Sequence, residues 1–199
     1  METKRLIIVA VGGQGNLLAS KVLGEAAMLS GVPVRLSEIH GMAQRGGVVE
    51  SALVFGDARS TIISDGAADV LVAFEPSEAL RALPRCNAGT VVVTNTAPTP
   101  PFTAVLGQGT YPDVAGMISL LGEKTARVIA FDANAMAARA GSPLSVNMAL
   151  LGALIQTAVL PIEADQVKQA IATTTKKAFV DINQKAFELG FDAGREQAG

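Results

Sequence analysis

Arg5-Leu6-Ile7-Ile8-Val9-Ala10-Val11, followed by Gly12-Gly13-Gln14-Gly15, decides the fold. After Arg5 the run is apolar without alternation, as a strand buried on both faces of a parallel sheet requires; a strand with one wet face would alternate. The next stretch sets Leu18, Val22, Ala26 and Leu29 at spacings of four, four and three, with Asn16, Ser20, Lys21 and Glu25 elsewhere on the wheel. That is an amphipathic helix laid on a sheet. Strand, glycine loop and helix start together make an anion site, because the first N–H groups of a helix lack intrahelical partners and carry the positive end of its dipole. Gly12, Gly13, Gln14, Gly15 and Asn16 are the first candidate binding residues, with phosphate as the expected guest. The spacing is not the G-x-G-x-x-G of a dinucleotide fingerprint, nor does it end in the Lys-Ser/Thr of a P-loop. The alternative is that these glycines only make the tight turn of a doubly wound fold.

A second stretch, Ser37-Glu38-Ile39-His40-Gly41-Met42-Ala43-Gln44-Arg45-Gly46-Gly47, packs the single histidine, an acid, an amide and an arginine between glycines. Val34, Leu36 and Ile39 before it, and Val48, Val49, Leu53 and Val54 after it, are strand-like, so it reads as a loop between two strands. Arg45 beside Gly46 and Gly47 offers a planar fork of donors suited to a phosphate or carboxylate. Gln44 shares that loop. His40 beside Glu38 is a candidate proton shuttle, the acid fixing the imidazole tautomer. The plainer readings are a solvated surface turn and a hydrogen-bonded structural histidine.

The remaining chain continues the pattern. Val32 to Ile39 and Val48 to Phe55 are predicted strands, with Gly56-Asp57 a turn and Thr61 to Ile63 a short return strand of a hairpin. Asp69 to Phe74, Thr90 to Val93 and Arg127 to Phe131 are further strands. Glu75-Pro76-Ser77-Glu78 opens a helix running through Ala79 to Leu83, its proline and acids suited to a first turn. Helices are also predicted over Val114 to Leu121 and Ala133 to Arg139. Asn95 to Pro112, rich in proline, is a long irregular connection of the kind that forms lids or interfaces. From Ser145 the chain is helical, with stripes Met148, Leu151, Ile155, Ala158, then Val167, Ala170, Ile171, then Phe179, Ile182, Ala186, Leu189. Asp181, Gln184, Lys185 and Glu188 keep the last helix wet on its far side. The expected architecture is a three-layer α/β sandwich with a mostly parallel, Rossmann-like sheet over 1–144 and packed C-terminal helices over 145–199, forming a single domain.

Composition narrows the function. The chain has 199 residues, 49% hydrophobic against 17% charged, and a formal net charge of −2. No apolar run approaches a membrane span of about 20 residues. The apolar stretch after Met-Glu-Thr-Lys-Arg is too short for a secretory h-region, so a cytoplasmic location is expected. With no net positive charge, one tyrosine and no tryptophan, nucleic-acid binding is not expected. Cys86 is the single cysteine, so the chain builds no internal disulfide, thiolate zinc site or Cys₄ iron–sulfur cluster, and no metal-ligand set is proposed. A structural thiol is the expected role of Cys86, since no second histidine exists to serve as its base.

The Gly-Gly-Gln-Gly loop after the first strand, Ser-Glu-Ile-His-Gly-Met-Ala-Gln-Arg-Gly-Gly, and Asn147-Met148 followed by Leu151-Gly152 resemble the gamma-type domain of thiamine-diphosphate-dependent 2-oxoacid:ferredoxin oxidoreductases. The resemblance covers nearly the whole chain, and the His-Gly-Met-Ala-Gln-Arg-Gly-Gly form points to the branch acting on indolepyruvate. It implies a large catalytic partner holding thiamine diphosphate, magnesium and iron–sulfur clusters, with coenzyme A as co-substrate and ferredoxin as acceptor. The implied reaction is oxidative decarboxylation of an aryl pyruvate to an arylacetyl-CoA; a pyruvate or other 2-oxoacid enzyme of the same family is the alternative. On this resemblance the glycine loop faces a coenzyme A phosphate, Arg45 a phosphate or the substrate carboxylate, and Asn147 joins the binding set. The isolated chain should be inactive. Ala58 to Gly66 departs from the family pattern.

Two readings from other classes stay open at the level of sequence. A dinucleotide-dependent dehydrogenase would share the first strand, loop and helix, but its ribose-binding acid would have to be Glu38, 26 residues after Gly12 against the usual spacing of about 20. A non-enzymatic accessory subunit would use the same loops only to dock a partner.

Overall fold

The computed structural model describes residues 1–41, 47–100, 106–107 and 109–197, His40 through its backbone alone. Six strands form one sheet in the order β2-β3-β1-β4-β5-β6: β1 Lys4–Val11, β2 Val34–His40, β3 Val48–Phe55, β4 Val70–Ala73, β5 Val91–Asn95 and β6 Arg127–Phe131. β1, β4, β5 and β6 pair in parallel, whereas β3 is antiparallel to both β1 and β2. It follows that β2 runs with β1, and β3 alone runs against the rest. The expected three-layer α/β sandwich with a mostly parallel sheet is what the chain forms.

Both faces of β1 are buried, as its unbroken apolar run requires. Leu6, Ile8 and Ala10 join a core with Leu53, Phe55, Val72 and Phe74 on one side; Ile7 and Val9 join Val54, Leu71 and Val92 on the other. The first face is covered by α1 (Asn16–Leu29), α5 (Val146–Gln156), α6 (Ala164–Thr174) and α7 (Val180–Glu196), with Ala133 and Ala140 of α4 (Ala133–Ala140). The second is covered by Ala79 and Ala82 of α2 (Pro76–Ala82), Leu121 of α3 (Val114–Lys124), and Ile63 and Ala68 from the connection after β3.

Three local expectations are corrected. Thr61 to Ile63 is not a strand: β3 already has an antiparallel neighbour on each side, so no edge remains for a return strand, and the hairpin partner is β2. Ile63 instead tucks under the second face while Ile62 stays exposed. In α1 the buried face runs through Asn16, Ala19, Ser20, Leu23 and Ala27 as well as Val22 and Ala26, and Leu29 faces solvent. Small residues let this helix lie close, and the Ser20 hydroxyl is satisfied by donating to Asn16 O at 3.0 Å. Ala158 lies past the end of α5 with a φ of 54°, so it does not extend that stripe.

The C-terminal helices lock together through glycine. α5 is buried from Asn147 to Ile155, as a helix wrapped on all sides must be, and it crosses α7 at Gly152 and Gly190. A Cβ on Gly152 would run into the Phe187 carbonyl and lie 2.7 Å from Phe191 N; one on Gly190 would run into the Ala149 carbonyl and lie 2.7 Å from its Cα. The buried face of α7 is therefore Asn183, Ala186, Phe187, Gly190, Ala193 and Gly194, and the expected Phe179 is half-exposed just before the helix.

Candidate nucleotide-binding site

Parallel strands deliver their carboxyl ends to one edge of the sheet. From β1 the chain crosses one face through α1 to reach β2; from β4 it crosses the opposite face through α2 to reach β5. The connections diverge between β1 and β4, which is where open α/β sheets form a ligand crevice. The glycine loop lies there. Gly13 and Gly15 hold φ values of 102° and 84°, a region that side chains other than glycine resist.

Each residue of that loop is held from a different direction. Gln14 Oε1 accepts from Val11 N at 2.8 Å, and its Nε2 lies 3.4 Å from both Phe74 O and Thr99 Oγ1, so the side chain spans the crevice. Gly15 serves as N-cap of α1 with no side chain to close the helix start. Asn147, 2% exposed at the start of α5, donates from Nδ2 to Gly15 O at 3.1 Å, and a Cβ on Gly15 would come within 2.7 Å of that nitrogen. Asn147 thus acts on the loop as a brace. Asn16 is 4% exposed, and its Nδ2 has no hydrogen-bond partner among the described residues.

The second stretch meets the first at this edge. Gly12 N donates to Gly47 O at 2.8 Å, and Gly41 N donates to Val48 O at 3.0 Å, so both flanks of the polar loop are fixed beside the glycine turn. Gln44, Arg45 and Gly46 lie outside the described residues, as does the side chain of His40. β2 continues as a strand through His40, opposite Val49, with an exposed Glu38 opposite Ser51. Because β3 intervenes between β1 and β2, Glu38 stands one strand spacing, about 4.8 Å, farther from β1 than a dinucleotide fingerprint requires.

Polar residues not among the sequence-derived site candidates complete the edge. Asn95, 1% exposed at the end of β5, donates to Phe74 O at 3.2 Å and to Asn134 Oδ1 at 3.0 Å, and accepts from Ala97 N and Ala133 N. Glu75, fully buried, caps α2 by accepting from Ser77 N at 2.7 Å and Glu78 N at 3.1 Å, and also accepts from Thr99 N at 3.2 Å and from the Tyr111 hydroxyl. Burial, reinforced by the hydrogen bond to Glu75 and its charge, pushes the Tyr111 phenol up, so it stays a donor. Burial likewise raises the Glu78 carboxyl, with Arg81 opposing and Glu75 adding to the shift. The signal for Glu75 and Asn95 was positional: Asn95 is the last residue of a buried parallel strand and Glu75 stands two residues past the end of another. Thr99, Tyr111 and Asn134 carry no such mark.

Elsewhere the chemistry is quiet. Cys86 packs at the end of α2, its pKa pushed up to about 11 by burial, with a hydrogen bond to Thr90 partly opposing. Among the described residues no group of three or more His, Cys, Asp or Glu side chains could hold a metal ion, and no helix is long and apolar enough to cross a membrane.

An open sheet whose connections part at a glycine turn, with an uncapped helix start behind it, defines a doubly wound, Rossmann-like α/β fold. The family described as pyruvate ferredoxin/flavodoxin oxidoreductase matches residues 5–193, and the chain belongs to it. It is 40% identical, over 96% of its own length and 97% of the relative's, to the indolepyruvate oxidoreductase subunit IorB of Methanothermobacter thermautotrophicus. In fold it resembles the gamma subunit of a keto/oxoacid ferredoxin oxidoreductase from Geobacter sulfurreducens, with a TM-score of 0.71, 23% identity, and 97% and 99% of the two chains covered. It also resembles 2-oxoglutarate:ferredoxin oxidoreductase from Magnetococcus marinus, solved with 2-oxoglutarate, coenzyme A and succinyl-CoA bound, with a TM-score of 0.74 and 18% identity. That likeness covers 98% of this chain and 32% of the other.

Proposed function

We propose that this chain is the small subunit of an indolepyruvate:ferredoxin oxidoreductase, supplying part of the coenzyme A site to a large catalytic subunit. The full-length likeness to an indolepyruvate oxidoreductase subunit carries this reading. The overall reaction is oxidative decarboxylation of an aryl pyruvate with coenzyme A, giving an arylacetyl-CoA, carbon dioxide and reduced ferredoxin. With one half-buried cysteine in the chain and no metal-binding cluster among the described residues, this subunit does not fit iron–sulfur clusters or a magnesium-held thiamine diphosphate. Those groups belong to the partner subunit.

The residues do fit a phosphate. Gly13 and Gly15 bring main chain to the surface of the crevice, and among the described residues the start of α1 has no side-chain cap and the buried Asn16 amide donor has no partner. An anion seated there would satisfy the helix start and the amide together. Asn147 holds the loop in shape from behind, and Gln14 fixes the crevice wall. To Arg45, outside the described residues, we assign a phosphate or the oxoacid carboxylate, and Glu38 with His40 is the candidate proton-transfer pair. The location is the cytoplasm.

Co-expression with a large, cysteine-rich subunit tests the assignment. The pair should co-purify and reduce ferredoxin only with both indolepyruvate and coenzyme A present, while this chain alone is colourless and inactive. Stoichiometric iron in the purified chain, or activity as a lone monomer, would overturn it. Calorimetry with coenzyme A and with NAD separates the nucleotide readings: binding of NAD alone would revive a dehydrogenase.

A further inference from the structure

Glu75 is a buried carboxylate with more partners than a helix cap needs. α3 and α4 are each capped by an exposed aspartate accepting from one backbone N–H, Asp113 from Gly116 and Asp132 from Ala135. Glu75 is fully buried and gathers five donors: Oε2 takes Ser77 N, Ser77 Oγ and Glu78 N, and Oε1 takes Thr99 N and the Tyr111 hydroxyl. Removing a carboxylate from water is costly unless its lone pairs are filled, so capping α2 alone does not explain its burial. The two donors on Oε1 stand twelve positions apart in the connection from β5 to α3 and meet on one oxygen, drawing its two ends together. Thr99, the nearer end, is also the residue whose Oγ1 lies 3.4 Å from Gln14 Nε2 in the glycine loop.

We propose that Glu75 is a positioning residue for the crevice: by tying Thr99 and Tyr111 to the end of β4, it holds Gln14 and with it the ligand-binding shape of the glycine loop. Its effect on coenzyme A rests on the function proposed above; its effect on the loop does not. A carboxylate is required because its two oxygens accept in both directions. A glutamine has one accepting oxygen, and if that keeps the helix cap, its amide nitrogen meets the Thr99 N–H donor to donor.

Hydrogen exchange and coenzyme A affinity of Glu75→Gln, Tyr111→Phe and Ser77→Ala test this in the assembled complex. Ser77→Ala removes a donor on the cap side only and serves as the control. Expected for Glu75→Gln and Tyr111→Phe is about tenfold faster exchange in peptides covering 96–100 and 11–16, the scale of one lost hydrogen bond. KM for coenzyme A should rise by a similar factor, with kcat within about twofold; Ser77→Ala should change neither. Faster exchange in 96–100 with an unchanged 11–16 segment would overturn the proposal, leaving Glu75 a fastener of the connection alone. Should Glu75→Gln fail to fold, Tyr111→Phe carries the same test. A wild-type complex that does not use coenzyme A would sink the assigned ligand while the exchange result still decides the role of Glu75.

Discussion

Substituting alanine for glycine inside a helix ordinarily stabilises a protein, by about 0.5–1 kcal/mol. Here the sign should depend on position. Gly24 in α1 and Gly122 in α3 have nothing within 4 Å of an added Cβ, so Gly24→Ala and Gly122→Ala should follow the propensity. Gly190 faces the backbone of α5, where an added Cβ would lie 2.7 Å from Ala149 Cα and overlap its carbonyl, below the 3.0 Å that real Cβ atoms respect. Backbone cannot rotate aside as a side chain does, so α5 and α7 would have to part, and both are anchored in the same core. Overpacking of this kind costs about 1–3 kcal/mol, and opening an all-buried helix adds lost contacts, so a net loss of about 3 kcal/mol survives the propensity gain. For a domain of this size that is a fall in Tm of about 6–12 °C, against a rise of about 1–4 °C for the controls. Gly152→Ala should resemble Gly190→Ala, and the double variant should lose less than the sum, because the first substitution already separates the crossing. Thermal and denaturant melts of the five variants provide the measurement. A Gly190→Ala protein as stable as wild type would refute the close approach of α5 to α7.

Three further outcomes are expected. Gly15→Ala should destabilise by about 1–3 kcal/mol, since it combines a left-handed φ with a clash at the Asn147 amide, and it should weaken coenzyme A binding more than a remote change of equal stability; denaturant melts and calorimetry would show both. Cys86 should resist alkylation at pH 8 in the folded protein. Because folding raises its pKa from 9.0 to about 11, its contribution to stability is intact below about pH 9 and declines as pH rises toward 11, which melts at successive pH values would detect. Arg45→Ala should cost about 1.5–3 kcal/mol in kcat/KM and Arg45→Lys only part of it, the affected KM naming the ligand; changes within about 0.5 kcal/mol for both would mean a solvated turn.

The alternation of strands and helices was legible because it is written in local patterns: the unbroken run over β1, the proline and acids opening α2, the periodic stripe of α5. What the sequence concealed was set by distant partners. Thr61 to Ile63 has the composition of a strand, and only the pairing of β3 with both β1 and β2 denies it an edge. In α7, scoring by hydrophobicity selects Phe179 and Leu189, whereas the backbone contact selects Gly190 and Gly194, residues that contribute by what they lack. Within the site, the glycine turn and the flanks of the His40–Arg45 loop were found because glycine and charge stand out locally. Glu75 was visible as an acid at a helix start, but its tie to Thr99 and Tyr111 depends on a connection that no periodicity describes.

The placement of β3 has a consequence for the continuity of the sheet. A strand–helix–strand unit usually completes itself, its two strands pairing side by side. Here β1 and β2 leave a gap one strand wide that only residues 48–55 can fill. In the native sheet those two strands share no bond, so this side of it is continuous only through β3, which pairs with both. The same insertion sets Gly47 beside Gly12, so the strand that bridges the gap is also what makes the two loops neighbours.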